Sequence, residues 1–152
     1  MQIEEMLARE AIRYTISLYN RAVDTKTHDE LVNVFHEDAT MEVLGGPSMQ
    51  GRDKIVEGLK GGSKKRDAAG GQIFQRHNMT SSMIDMIDAD NAKARHYIMV
   101  VTETGLDHAG MYDDHFRRVG DRWLILHRTA RMEWARPESR FAKWLGPSQP
   151  AA

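Results

Sequence analysis

Apolar residues recur at helical spacing along the first part of the chain. Within residues 3–23, four of them share one face of a helix: Ile12, Ile16, Tyr19 and Val23. This pattern predicts a long amphipathic helix that ends in the polar stretch 24–27.

Two shorter helices are predicted after it. Thr27 and Glu30 have the spacing of a capping box, which predicts a short helix that reaches Phe35. Gly51 precedes a second apolar pattern, which predicts a third helix through Leu59. The glycine-rich and basic run 61–71 then predicts a mobile loop, either a solvated connection or a lid over a pocket.

The remaining apolar residues follow the pattern of strands. One strand is predicted between the short helices, at Ala39–Leu44, and Gly105–Gly110 is predicted as a loop. The other predicted strands are Phe74–Ile87, Ala92–Thr102, Gly110–Val119 and Arg122–Trp134. Helices followed by a strand-rich half predict an α+β fold, in which a curved antiparallel or mixed sheet wraps the helices as a cone around a cavity.

The last residues of the chain lack the apolar pattern of the predicted cone. Residues 1–134 are predicted to form the single domain, and residues 135–152 a polar, proline-flanked tail. Because Phe141, Trp144 and Leu145 need cover from water, we expect this tail to pack on its own domain or on a neighbouring subunit.

Composition narrows the classes of partner. The chain has 152 residues, no cysteine and a net charge of −1, so neither nucleic acid nor an anionic membrane is an expected partner. No apolar run approaches the length of a membrane span, which favours a cytoplasmic protein. A small molecule, or another copy of the chain, is the expected partner.

His77 is the candidate for acid–base chemistry that the residues themselves suggest. Imidazole titrates near neutral pH, so a histidine at the mouth of a predicted strand can take and return a proton. The alternative is a solvated or structurally bonded histidine. The seven histidines form no His-x-His, His-x-x-x-His or His-Glu-x-x-His pattern, so no metal site is predicted.

Six short pieces, taken in order, carry a family resemblance. They are the helix end 21–24, the phrase 31–40, and the pieces 51–55, 77–79, 110–114 and 120–128. In this order they resemble the SnoaL-like branch of the nuclear transport factor-like superfamily, which implies a cone-shaped α+β fold. The pattern is most similar to its lyases: scytalone dehydratase, hexachlorocyclohexane dehydrochlorinase and the bile-acid 7α-dehydratases.

The resemblance implies four site residues. Asp24 and His77 fall on the positions of the His–Asp dyad of these lyases, with His77 as base and Asp24 as its support. Tyr19 and Arg128 fall where relatives place groups that handle the leaving group or a developing oxyanion. Some of these lyases carry a further acidic residue or histidine in the strand after the dyad histidine. This residue has no clear counterpart here, because His96 lies near that position but does not align with it. Tyr112 and Asp114 share one strand face and are read as structural.

The function that the resemblance implies is a cofactor-independent lyase of the dehydratase or eliminase type. Its substrate would be a small cyclic or aromatic hydroxylated compound. An isomerase or polyketide cyclase, and a ligand-binding module without chemistry, are the alternatives, because fold alone does not give function. Related lyases also imply a homo-oligomer, a trimer by preference with a dimer as the alternative.

Overall fold

A computed structural model describes residues 2–68 and 74–145, with the side chains of 65–68 outside the description. The elements are α1 (Ile3–Thr25), a 3₁₀ turn (His28–Asn33), β1 (Phe35–Val43), β2 (Ser48–Gln50), α2 (Arg52–Ala68), β3 (Gln75–Met86), β4 (Asn91–Thr102), β5 (Gly105–Val119), β6 (Arg122–Ala135) and a last 3₁₀ turn (Ala142–Trp144).

The six strands form one mixed sheet in the order β2-β1-β6-β5-β4-β3. The β1–β6 pair is parallel and the other pairs are antiparallel. The helices pack against one face of this curved sheet, so the predicted α+β cone is confirmed. The apolar stripe of α1 is buried against the sheet, with Ile12 fully inaccessible to solvent.

Gly110 shows how β5 bends. The register between β5 and β6 shifts between Ala109 and Gly110, and a side chain at Gly110 would collide with the main-chain oxygen of Arg131. Only a residue without a Cβ allows the two backbones to approach this closely at a bulge. The bend contributes to the curvature that opens a cavity between the sheet and the helices.

Several local predictions are wrong. Residues 61–68 continue α2 instead of forming a loop, since the lysines and Arg66 support a helix despite Gly61 and Gly62; residues 69–71 lie outside the described part. Gly105–Gly110 begins β5, because a tight turn after Thr102 lets the ladder start at Gly105.

The segment after α1 also differs from its prediction. The Thr27 side chain makes no capping bond, and the helix that follows is a 3₁₀ turn ending at Asn33, so β1 begins at Phe35. The short strand β2 was not predicted, because three residues carry too little alternation to be recognised.

Candidate active site

Asp24 and His77 are joined by two hydrogen bonds. The ring Nδ1 of His77 lies 2.6 Å from Oδ1 of Asp24, and the His77 main-chain N–H donates to Oδ2 at 2.9 Å. Both side chains are mostly buried, with 12% of His77 and 7% of Asp24 exposed. The carboxylate therefore holds the proton on Nδ1, and Nε2 has no hydrogen-bond partner among the described residues.

The end of α1 places Asp24 in this position. Lys26 adopts a left-handed conformation that terminates the helix, and the Gln75 side chain donates to the Val23 carbonyl at 3.1 Å. Asp24 lies in the last helical turn, because the helix ends at Thr25, within the predicted stretch 24–27. Tyr19 and Asp24 leave the helix in different directions, and only Tyr19 reaches the cavity wall.

His77 faces a cavity of about 570 Å³ between the sheet, α1 and α2. Its wall is mainly apolar, with Met41, Met49 and Met132 among its residues. The polar groups on it include Tyr19, Tyr112 and two further histidines, His28 and His108, and no Asp or Glu of the described residues lines it. A cavity of this size suits a small, largely apolar molecule.

Arg128 lies behind the cavity wall and not on it. Its guanidinium is fully buried, 4.2 Å from the ring centroids of both Tyr19 and Tyr112, and it forms two hydrogen bonds to Asp114 at 2.8 and 2.7 Å. Burial alone would lower the pKa of Arg128, but the Asp114 carboxylate raises it above its ordinary value. The charge is therefore permanent and is presented to the cavity through two aromatic rings.

The sequence indicated a structural role for Tyr112, but in the structure its ring also forms part of the cavity wall. Burial raises the pKa of Tyr112 well above its ordinary value, and the interaction with Tyr19 raises it further. The phenol therefore keeps its proton and can donate a hydrogen bond. Asp114, in contrast, serves to hold Arg128.

His108 is the functional candidate that the sequence reasoning missed. Its Nδ1 lies 2.8 Å from Oδ2 of Asp107, which also accepts a hydrogen bond from the Ser139 hydroxyl at 2.7 Å. Burial lowers the pKa of His108, and hydrogen bonds from Ser139 and His108 hold the pKa of Asp107 below its ordinary value although burial opposes this. The adjacent pair Asp107-His108 was a usable signal, but flanking glycines made it look like a loop.

His96 lies away from the cavity. The ring is completely buried, with Nδ1 2.7 Å from the Ser82 hydroxyl and Nε2 3.6 Å from Asp114. Burial lowers the pKa of His96 to about 4, so the ring is neutral at physiological pH. In the described ranges, no cluster of His, Asp and Glu has the arrangement of a metal site.

The C-terminal segment, residues 136–145, forms one side of the cavity. Phe141 stacks on the His108 ring at 4.1 Å between centroids, and Trp144 packs on Phe141 and beside Gly46. The main-chain N–H of Arg136 donates to the Asp107 carbonyl, so Asp107 also ties this segment to β5. Neither α-helix in the described residues has an apolar stretch that could cross a lipid bilayer.

Comparison with known proteins gives a family and a fold. A family model described as a SnoaL-like domain matches residues 4–129. No curated protein sequence matches. Among solved structures, a protein assigned as a scytalone dehydratase from Novosphingobium aromaticivorans superposes with a TM-score of 0.76 at 20% identity, over 92% of this chain and 99% of that one.

Two further structures are similar. A hexachlorocyclohexane dehydrochlorinase from Novosphingobium barchaimii has a TM-score of 0.76 at 17% identity, covering 91% of this chain and 94% of its own. A cystatin-like protein of unknown function from Nostoc punctiforme has a TM-score of 0.71 at 16% identity, covering 88% and 94%. The family model spans most of the chain and the fold agrees with it, so the protein belongs to the SnoaL-like domain family.

Proposed function

We propose that the protein is a cofactor-independent lyase of the dehydratase type that acts on a small cyclic or aromatic hydroxylated compound. The observation that carries this proposal is the Asp24–His77 pair, whose imidazole faces a mainly apolar cavity. A buried carboxylate that fixes one ring nitrogen leaves the other as a base of defined direction.

The reaction needs a C–H bond that a neighbouring carbonyl has made acidic. Nε2 of His77 takes this proton, the C–H electron pair forms an enolate with its charge on the carbonyl oxygen, and the imidazolium is stabilised by Asp24. The enolate then re-forms the carbonyl, its electron pair becomes the new C=C bond as the C–O bond to the leaving hydroxyl breaks, and the proton held by His77 passes to that oxygen. The products are the unsaturated compound and one water, with no oxidant or reductant required.

Tyr19 and Tyr112 are the proposed hydrogen-bond donors to the substrate oxygen. Charge develops on the carbonyl oxygen as the proton leaves carbon, and the Tyr112 phenol, which keeps its own proton, can stabilise it. Arg128 acts here as a positioning residue, since its guanidinium contacts the two rings and not the cavity. This role differs from the direct contact with a leaving group that the resemblance implies.

A bicyclic β-hydroxy ketone, 3-hydroxy-1-tetralone, tests the proposal. The wild-type protein is expected to convert it into 1-naphthol with loss of one water, as followed by absorbance and mass spectrometry. The variants His77→Gln and Asp24→Asn are expected to lose this activity, and Arg76→Gln, an exposed neighbour of His77, is the matched control.

The same experiment separates the alternatives. If His77→Gln and Asp24→Asn keep full turnover, the proposed mechanism is wrong. A product that keeps every atom of its substrate would instead indicate an isomerase or cyclase that uses the same base. Slow exchange of the C2 protons with deuterated solvent, without any product, would show that the base works and that the probe lacks the right leaving group.

A further inference from the structure

His77 and His108 lie in one row across the sheet. His77 is paired with Val100 between β3 and β4, and Val100 is paired with His108 between β4 and β5. Because neighbouring strands are about 4.8 Å apart, the Cα atoms of the two histidines are roughly 10 Å apart. Both rings line the same cavity, so a ligand that lies along the row can contact both.

The surroundings of His108 determine which nitrogen carries its proton. Oδ2 of Asp107 accepts from the Ser139 hydroxyl and lies 2.8 Å from Nδ1 of His108, while Oδ1 lies 3.3 Å from Nε of Arg136. A carboxylate with these donors stays ionised, so Nδ1 of His108 must carry the proton that it donates. Nε2 is then the bare nitrogen, which can only accept a hydrogen bond.

His108 also remains uncharged at neutral pH. Burial lowers its pKa most strongly, Asp107 opposes this shift, and His77 and Arg140 lower the pKa further. The ring is 2% exposed and stacked on Phe141. An uncharged, buried acceptor beside an apolar cavity loses free energy when a ligand covers it without offering a donor.

We propose that His108, held by Asp107, is a hydroxyl-recognising base of the cavity that accepts a hydrogen bond from a phenolic or enolic O–H of the ligand. This inference rests on the proposed function, because it assumes that the cavity is the substrate site, and it deepens that function by assigning the recognition of a hydroxyl group to His108. The substrate presents its acidic C–H to His77 and a hydroxyl group to His108 at the other end of the row.

A competing role for the pair is purely structural. Asp107 ties residues 136–145 to β5 through Ser139 and Arg136, and His108 supports Phe141. A structural pair would affect all ligands of similar size alike. A recognition group must distinguish ligands that carry a hydroxyl from those that do not.

The test compares two probes of similar size, 1-naphthol and 1-fluoronaphthalene, by competition against 8-anilinonaphthalene-1-sulfonate. The wild-type protein is expected to bind 1-naphthol about fivefold to tenfold more tightly, which corresponds to one buried hydrogen bond. In His108→Phe this ratio is expected to fall to about one while 1-fluoronaphthalene still binds. His77→Phe and the exposed-site control Arg76→Gln are expected to keep the preference.

A preference that persists in His108→Phe, or that His77→Phe removes instead, overturns the proposal. Absence of 1-naphthol binding by the wild-type protein overturns it as well. If His108→Phe does not fold, the ¹⁵N resonance of His108 Nε2 in the wild-type protein decides: 1-naphthol must shift it and 1-fluoronaphthalene must not. The test measures binding and needs no turnover. A negative result would therefore not contradict the proposed lyase reaction, and the binding result can be interpreted even if the protein does not catalyse that reaction.

Discussion

Asp24 accepts hydrogen bonds from two N–H groups of His77, one on the ring at 2.6 Å and one on the main chain at 2.9 Å. The last turn of a helix and the start of an edge strand are thereby fastened to each other at the same point that orients the imidazole. A single carboxylate thus sets both the position of the base and the direction of its free nitrogen.

Replacing Asp24 by Asn separates geometry from charge. The amide can keep one contact to His77, but it allows the proton to move to Nε2 and removes the negative charge that stabilises an imidazolium. We expect kcat on a substrate to fall by about 10²- to 10⁴-fold, with a smaller change in KM. Steady-state kinetics and ¹⁵N spectra of the His77 ring measure the two effects.

Asp29→Asn is the control for Asp24→Asn, since Asp29 lies on the exposed 3₁₀ turn that follows the helix. It is expected to leave kcat unchanged. Equal losses in both variants would mean that the helix end, and not the dyad, had been damaged.

Removal of the Arg128 charge is expected to destabilise the fold. Arg128→Met leaves the Asp114 carboxylate buried without its partner, which costs about 3–5 kcal/mol of the free energy of unfolding. Urea denaturation monitored by tryptophan fluorescence gives this value.

The double variant Arg128→Met with Asp114→Leu removes both charges. We expect it to be more stable than Arg128→Met alone, because no unpaired ion remains in the core. A double variant that is less stable than the single one by the full cost of Asp114→Leu would show that the two residues are not coupled.

Stability is expected to fall between pH 6.5 and about 4. The pKa of His96 is lowered from 6.5 to about 4 by burial, so in this range the unfolded chain binds a proton that the folded chain does not. The free energy of unfolding therefore rises with pH here, and His96 accounts for about 3 kcal/mol of the change. The lowered pKa values of His108 and His115 act in the same direction.

His96→Gln tests this assignment, because it removes the titrating group and retains a polar side chain near Ser82. The difference in unfolding free energy between pH 7 and pH 4.5 should be smaller in this variant than in the wild-type protein. If this difference is the same in the variant and in the wild-type protein, groups other than His96 cause the pH dependence.

Self-association stays a prediction, and the outer face of the sheet is the place to test it. Four large apolar side chains of β4, β5 and β6 are exposed there: Tyr97, Met99, Leu106 and Trp134. Side chains alternate between the two faces along β4. Ile98 and Val100 point toward the helices and are buried, whereas Tyr97 and Met99 point away from them. Light scattering is expected to give a trimer or a dimer for the wild-type protein and a monomer for Met99→Lys.

A matched change on the polar part of the same face, Lys93→Glu, is the control for Met99→Lys. It should leave the molar mass unchanged. A wild-type protein that is monomeric at micromolar concentration would contradict the prediction.

The fold was accessible from the sequence because its determinants are local. Ile12, Ile16 and the alternating strands of the second half specify which faces are buried, and the order of elements then limits the topology. The errors fall where two local signals compete. Gly105 and Gly110 resemble loop residues, whereas the structure uses them for a turn and for the close approach of two strands.

The site was only partly accessible for the same reason. Asp24 and His77 could be paired through a family pattern, but the burial of Arg128 behind two tyrosines depends on packing across three elements. The role proposed for His108 depends on Ser139, which follows it by 31 residues and contacts Asp107 only in the folded chain. No periodicity in the sequence encodes such a contact.

The C-terminal segment that carries Phe141 and Trp144 has a consequence for how ligand preference can change. It forms part of the cavity wall, yet it belongs to no strand of the sheet and is attached to β5 mainly through Asp107. Exchanging this segment would therefore alter the shape of the cavity while leaving the Asp24–His77 pair in place. In the proposed function, part of the wall that selects the ligand therefore lies on a different segment from the base, so each can vary while the other is kept.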